Sequence, residues 1–183
     1  MAGAGRGFDR QVCLAIGTGL GGAIVRGGEL HRGQRGRAAE LGHLAFNENG
    51  PLCGCTGRGC VEQYISQTGL MRQAAEAGWG DGQLQPSDVP RLFEAARSGD
   101  RVAAAIIDRA ADALGFALAW CDQVLAPQCF VLAGGVSQAW PQLRERALAG
   151  LSRHAGNRPL PEVRIGSLGT DAGIIGGALL RRG

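Results

Sequence analysis

Four side chains with strong metal affinity lie within 18 residues of each other: His43, Cys53, Cys55 and Cys60. Three thiolates and one imidazole form a Cys3His set, which suits a tetrahedral zinc ion. Gly54, Gly57 and Gly59 interleave the cysteines and allow the tight turns that would aim the sulfurs inward. A disulfide pair or idle thiols is the alternative, and a reducing compartment disfavours stable disulfides. With all four positions filled by protein, the expected metal is structural, not hydrolytic. The spacing is not that of a two-knuckle finger. Cys13, Cys121 and Cys129 fall inside strand or helix patterns and read as buried thiols.

Glycine marks a second kind of chemistry. The run Gly17-Thr18-Gly19-Leu20-Gly21-Gly22 separates two strand-like stretches, and Gly134-Gly135 follows a third. A loop of this kind can turn backbone N–H groups and the Thr18 hydroxyl toward phosphate oxygens, or can simply be a hairpin. A glycine pair between a strand and a helix lies where ligands gather in open α/β sheets.

The elements that must position these groups are legible from periodicity. Strands are predicted at Gln11 to Ile16 and Ala23 to Arg26, the latter turning at Gly27-Gly28 into Glu29-Leu30-His31. Further strands are expected at His43 to Phe46, Cys129 to Ala133 and Val163 to Ile165. Helices start at Val61, with a break near Gly69. Ser87 is expected to cap a short helix ending by Gly99, and Asp100 a long one whose apolar face runs from Val102 to Leu125 before Pro127. Trp140 to Leu151 and Ala172 to Leu180 read as the last helices. Strands alternating with helices predict an α/β fold with a mixed sheet in one domain spanning residues 1–183.

Composition narrows the function classes. Net charge is +3, too small for a nucleic-acid footprint. All 19 basic residues are arginine, and glycine is abundant, at 32 of 183 residues. Apolar residues make up 45%, enough for a packed core. No window has the length of a membrane span, and the N-terminus lacks the apolar core of a signal peptide, so a cytoplasmic location is expected.

The stretches Glu40-Leu41-Gly42-His43 and Cys53-Gly54-Cys55-Thr56-Gly57-Arg58-Gly59-Cys60-Val61-Glu62 resemble the E-x-G-H and C-x-C-G-x-x-G-C-x-E patterns of the ROK family. That family comprises bacterial sugar kinases and sugar-responsive repressors. Thr56 stands where the pattern has glycine. Gly17 to Gly22 resembles the family's second phosphate motif, and Gly134-Gly135-Val136 and Asp171-Ala172-Gly173 its nucleotide-side turns. The resemblance implies the C-terminal lobe of an actin-like ATPase, ribonuclease H-like fold with a zinc loop over residues 43–60. It also implies that Glu40, His43 and Glu62 contact sugar hydroxyls, that Gly17, Thr18, Gly19, Gly134 and Gly135 meet nucleotide and phosphate, and that His43, Cys53, Cys55 and Cys60 hold zinc. Simpler readings stand beside these: Glu62 as an acid in a first helical turn, Glu40 as a solvated loop charge, and Asp171 as a helix cap.

The implied activity is ATP- and magnesium-dependent phosphorylation of a hexose or N-acetylhexosamine. Such kinases carry a D-x-G-x-T loop and an N-D motif with the catalytic aspartate in the N-terminal lobe. Neither occurs here, and Asp9 has no such surroundings. The expectation is therefore a chain starting part-way through a kinase-like protein, with the N-terminal lobe absent and catalysis lacking. Alternatives are a sugar-sensing repressor without its helix-turn-helix, or a zinc-stabilised sugar-binding remnant. Apolar helices and an open half-cleft suggest a homodimer.

Overall fold

A computed structural model describes residues 3–153, 155–169 and 172. Strand β1 (Arg10–Ile16) alternates along its length, burying Val12, Leu14 and Ile16 on one face while Cys13 and Ala15 stay partly exposed on the other. It pairs antiparallel with β2 (Leu20–Arg26), which turns into the two-residue β3 (Glu29–Leu30). On its other side β1 pairs parallel with β4 (Cys129–Ala133), and β4 with β5 (Glu162–Ile165). The order β3-β2-β1-β4-β5 is the expected mixed sheet.

Between β3 and β4 the chain builds α1 (Glu62–Ile65), α2 (Gln67–Glu76), α3 (Val89–Arg97) and α4 (Arg101–Leu125). The last helix, α5 (Trp140–Ser152), joins β4 to β5. The 25 residues of α4, about 38 Å of helix, form the spine of the helical layer. Asp100 caps it as predicted, its Oδ1 accepting from the Val102 and Ala103 N–H groups at 2.9 and 3.0 Å. Ala126, at φ 44, turns the chain out ahead of Pro127. Ile106, Ala110, Leu114, Ala117 and Cys121 are buried with Val12, Leu14, Ile16, Phe130 and Leu132 in one core. Val102, at the start of the predicted face, is 40% exposed. The helices α4 and α5 touch at Gly115 and Gly150, where a Cβ on Gly115 would lie 3.1 Å from the Gly150 Cα.

Four local readings need correction. His43 to Phe46 is not a strand. Leu41–His43 forms a 3-10 turn, and Ala45 makes only an isolated bridge to Cys60, because the cysteine loop folds back before a ladder can extend. The helical break comes at Ser66, not at Gly69. Ser66 is extended, and its hydroxyl accepts the Gly69 N–H at 3.0 Å, which starts α2 afresh and leaves Gly69 inside it. The cap before α3 is a reciprocal Gln85–Asp88 pair in place of Ser87. Finally, β2 begins at Leu20, so the glycine-rich loop proper is Gly17–Gly19. The predicted last helix, with Asp171, lies outside the described residues apart from Ala172.

Cys121 and Cys129 are buried thiols as read, and desolvation pushes Cys121 up to about 12. Cys13 is only half-buried. Among the described residues no helix is long and apolar enough to cross a membrane.

Candidate functional site

Two chain reversals meet at one end of the central strands. The loop Gly17–Gly19 leaves the C-terminal end of β1, and the segment Glu40–His43 runs alongside the start of β2. Close approach fixes this second contact: a Cβ on Gly42 would lie 2.3 Å from the Leu20 carbonyl oxygen. Helix α1 brings Glu62 beneath the loop. Its Oε2 accepts the Leu20 N–H at 2.8 Å, and a Cβ on Gly19 would stand only 2.7 Å from that oxygen. Helix α2 holds the loop from the other side. The Gln67 N–H donates to the Gly17 carbonyl at 2.9 Å, and the Thr68 hydroxyl to that of Thr18 at 2.7 Å.

These contacts enclose an open cleft of about 470 Å3, within the usual range of ligand sites. Gly17, Gly19, Glu40, His43, Glu62 and Gly134 line it, so six of the residues singled out from the sequence share one cavity. Leu20 and Gly21, from the far end of the same glycine-rich run, line it as well, and so does Ala15, which had not been singled out. Thr18 and Gly135 are not among its walls. Thr18 is exposed, and its backbone carbonyl is engaged by Thr68. Gly135 borders Gln67, whose Nε2 would be 3.3 Å from a Cβ there. Gly134 must be glycine for a reason inside the fold. Its φ is 85°, and a Cβ would come within 2.4 Å of the Ile16 carbonyl oxygen, so β1 itself excludes a side chain.

Below the cleft the cysteine loop closes on itself. The Cys53 N–H donates to Gly57 at 2.8 Å and the Thr56 N–H to Cys53 at 2.9 Å, while Leu52 bridges Arg58. Gly59 has φ 60°, and a Cβ there would overlap the Asn47 carbonyl. Thr56 adopts φ 72°, a left-handed conformation that a β-branched residue takes at a cost. Ala39, next to Glu40, is similarly placed at φ 67°.

The ligand atoms of His43, Cys53, Cys55 and Cys60 all lie within 4.8 Å of one another. Cys53 Sγ is 3.6 Å from His43 Nδ1, and Cys55 Sγ is 3.5 Å from Cys60 Sγ. A tetrahedral zinc, with sulfur at about 2.3 Å and nitrogen at about 2.0–2.1 Å, has S–N edges of about 3.6 Å and S–S edges of about 3.8 Å. The donor set fits such an ion. Its electrostatics point the same way. The Gly57 backbone N–H, then the Cys60 thiol, hold Cys55 below the ordinary thiol value. Desolvation, then the Cys55 and Cys53 side chains, push Cys60 up to about 12. A divalent cation among these sulfurs would favour their thiolate forms. Gln63 supports the cluster, its Nε2 donating to Cys53 Sγ at 3.6 Å.

His43 joins the two layers. Its Nδ1 faces the sulfurs, and its Nε2 lies 3.8 Å from Glu40 Oε2 on the cleft side. Glu62 also spans them, with Oε1 3.9 Å from Cys53 Sγ and Oε2 on the Leu20 N–H beside the Gly17–Gly19 loop.

The sequence pattern of the ROK family matches residues 1–183. The chain belongs to the ROK family. Glucokinase of Thermotoga maritima is 39% identical over 191 residues, covering 96% of this chain and 59% of that protein. N-acetylmannosamine kinase of Shigella boydii serotype 18 is 33% identical, covering 94% and 57%. The chain thus spans about three fifths of the length of these curated relatives. Among solved structures, a ROK hexokinase from Thermus thermophilus superposes with a TM-score of 0.84 at 34% identity, covering 97% of this chain and 58% of that one. A ROK glucokinase from Streptomyces griseus, in complex with glucose and AMPPNP, gives 0.80 at 36%, covering 96% and 61%. A ROK transcriptional regulator, a homolog of the E. coli MLC protein, gives 0.69 at 27%, covering 85% and 41%. The α/β fold with its mixed sheet is that of the ROK sugar kinases, an actin-like ATPase fold.

Proposed function

We propose that this chain is the sugar- and zinc-holding lobe of an ATP-dependent kinase for a hexose or N-acetylhexosamine. One observation carries the reading: Glu40, His43 and Glu62 share a cleft with the loop Gly17–Gly19, directly above a Cys3His cluster. Carboxylate oxygens accept hydrogen bonds from vicinal hydroxyls, so Glu40 and the Oε1 of Glu62 would orient the sugar. Zinc on Nδ1 would leave His43 with an N–H at Nε2, a fixed donor to a sugar oxygen. The metal, held by His43, Cys53, Cys55 and Cys60, would keep the cysteine loop rigid and take no part in the transfer.

The phosphates of ATP, with magnesium, would lie at Gly17–Gly19, where backbone groups sit at the open end of β1. The nucleoside would lie on the Gly134–Gly135 side, at the end of β4. Phosphoryl transfer also needs a group that takes the hydroxyl proton. Among the described residues the carboxylates lining this cleft are Glu40 and Glu62, and Glu62 Oε2 is already committed to the Leu20 N–H. The 183-residue chain is accordingly expected to bind sugar without turning over ATP.

Similarity to the ROK transcriptional regulator favours one second reading, a sugar sensor using the same cleft. The identity of 33–39% to the curated kinases against 27% to the regulator ranks the kinase first. Calorimetric titration of the purified chain with glucose and with N-acetylmannosamine tests the site. Binding of either, lost in Glu40→Ala, is the expected result, and no heat with any hexose or N-acetylhexosamine would overturn it. The DNA ahead of Met1 separates kinase from sensor: a D-x-G-x-T loop marks the former, a helix-turn-helix the latter.

A further inference from the structure

Every backbone carbonyl of the loop Gly17–Gly19 is occupied. That of Gly17 accepts the Gln67 N–H at 2.9 Å, and that of Gly19 accepts the Gly17 N–H at 3.0 Å. The Thr18 carbonyl takes the Thr68 hydroxyl at 2.7 Å, with the Thr68 N–H farther off at 3.5 Å. The amides are disposed differently. Glu62 holds the Leu20 N–H, whereas the N–H groups of Thr18 and Gly19 have no acceptor among the described residues. A trans peptide carries its C=O and N–H on opposite sides. The Gly17–Thr18 and Thr18–Gly19 peptides both turn their carbonyls to the first turn of α2, so the Thr18 and Gly19 N–H groups point away from that helix. Gly17 and Gly19 line the cleft, and among the described residues none of α2 does.

The loop does not set this polarity by itself. Each of the two peptides borders a glycine, whose broad φ/ψ range lets the peptide plane flip and present its carbonyl instead. A carbonyl in that place repels a phosphate oxygen, and an N–H attracts it. Thr68 selects between the two, and the order of its hydrogen bonds follows from the donors. The Thr18 carbonyl accepts only, so the Thr68 hydroxyl proton goes to it. The Ser66 hydroxyl, 3.1 Å from Thr68 Oγ1, must then donate to Thr68. Ser66 is buried, and its oxygen accepts the Gly69 N–H at 3.0 Å. One chain of hydrogen bonds, from Gly69 through Ser66 and Thr68 to Thr18, thus runs from the cap of α2 into the loop, each bond polarising the next.

We infer that Thr68 is a positioning residue for phosphate. It stands outside the cleft walls and acts through Thr18: by holding the Thr18 carbonyl toward α2, it keeps the Thr18 and Gly19 N–H groups turned out for phosphate oxygens. The inference rests on the reading of Gly17–Gly19 as the seat of the ATP phosphates, and it adds what gives that seat its affinity for an anion.

The test is calorimetry of the full chain with magnesium ATP and, separately, with glucose, beside amide NMR spectra recorded through the nucleotide titration. In the unaltered chain magnesium ATP is expected to bind and to move the Thr18 and Gly19 amide resonances. Thr68→Val keeps the shape without the hydroxyl; it should bind magnesium ATP about fivefold more weakly, as for the loss of one neutral hydrogen bond, with glucose affinity unchanged. Thr68→Ser, which keeps the hydroxyl, should restore the nucleotide affinity. Equal affinity in Thr68→Val, failure of Thr68→Ser to restore it, or a parallel fall in glucose binding overturns the positioning role and leaves the phosphate seat standing. Magnesium ATP that does not bind, or that binds with both resonances unmoved, overturns the reading of the loop itself and this inference with it.

Discussion

Replacing Glu62 by glutamine separates the two tasks of that side chain. Its Oε2 accepts the Leu20 N–H at 2.8 Å and so holds the start of β2 against α1. Its Oε1 accepts from Cys53 Sγ at 3.9 Å, and the Glu62 side chain lines the cleft. The glutamine carbonyl can still take the Leu20 N–H, so the fold and the metal cluster should survive. What changes is the strength of the bond to a sugar hydroxyl. A hydrogen bond to a charged acceptor is worth about 1.5–3 kcal/mol, against about 0.5–1.5 kcal/mol for a neutral one. The difference of about 1–1.5 kcal/mol corresponds to roughly a five- to thirteenfold weaker Kd for each hydroxyl held. Glu62→Ala removes the Leu20 partner as well, so it should lose about 1 kcal/mol of stability in addition to affinity. The assay is calorimetry with glucose and N-acetylmannosamine, paired with zinc analysis and denaturant unfolding of each variant. Affinity of Glu62→Gln within twofold of the unaltered chain would refute the sugar contact. Loss of zinc in Glu62→Gln, with affinity falling only in proportion, would make Glu62 a support of the metal loop instead.

The remaining predictions concern the scaffold. Protein purified under reducing conditions should carry one zinc per chain by metal analysis. If zinc is present at about a thousand times its dissociation constant, it contributes about 4 kcal/mol, so chelation should lower Tm by about 8–16 °C and weaken sugar binding; a metal-free protein with unchanged Tm contradicts this. Thr56→Gly should raise stability by about 1 kcal/mol in a denaturant titration, because φ 72° costs glycine nothing. The carboxyl of Asp100 is held below its usual value by the Ala103 N–H, with Trp79 and Val102 adding to the effect. Its contribution is therefore complete above the unfolded value near 3.8 and is lost as pH falls through the lower folded one. Asp100→Asn, which keeps the cap, should flatten stability against pH below about 4, as read by thermal melts across that range.

Sequence alone determined β1, β4 and the long helix, because their cause is local. The alternation in β1 and the apolar spacing of α4 behind Asp100 follow from backbone geometry over a few residues. It also determined the metal-type donor set, since Cys3His within one loop hardly depends on the rest of the fold. The ROK motifs were legible for the same reason, each being contiguous. Tertiary structure alone decided what the glycines are for. Gly134 is required by the Ile16 backbone, a contact across the β1–β4 pair that no neighbouring residue announces. The same holds for the pairing of Glu62 with the Leu20 N–H, 42 residues away, and for Thr68 on Thr18, 50 residues away. The false strand at His43 to Phe46 arose because three apolar residues in a row after His43 look alike in a ladder and in a turn. Only the closure of the cysteine loop onto Ala45 distinguishes them, since local patterns record what one segment prefers, whereas a site exists where distant segments exclude each other's other choices.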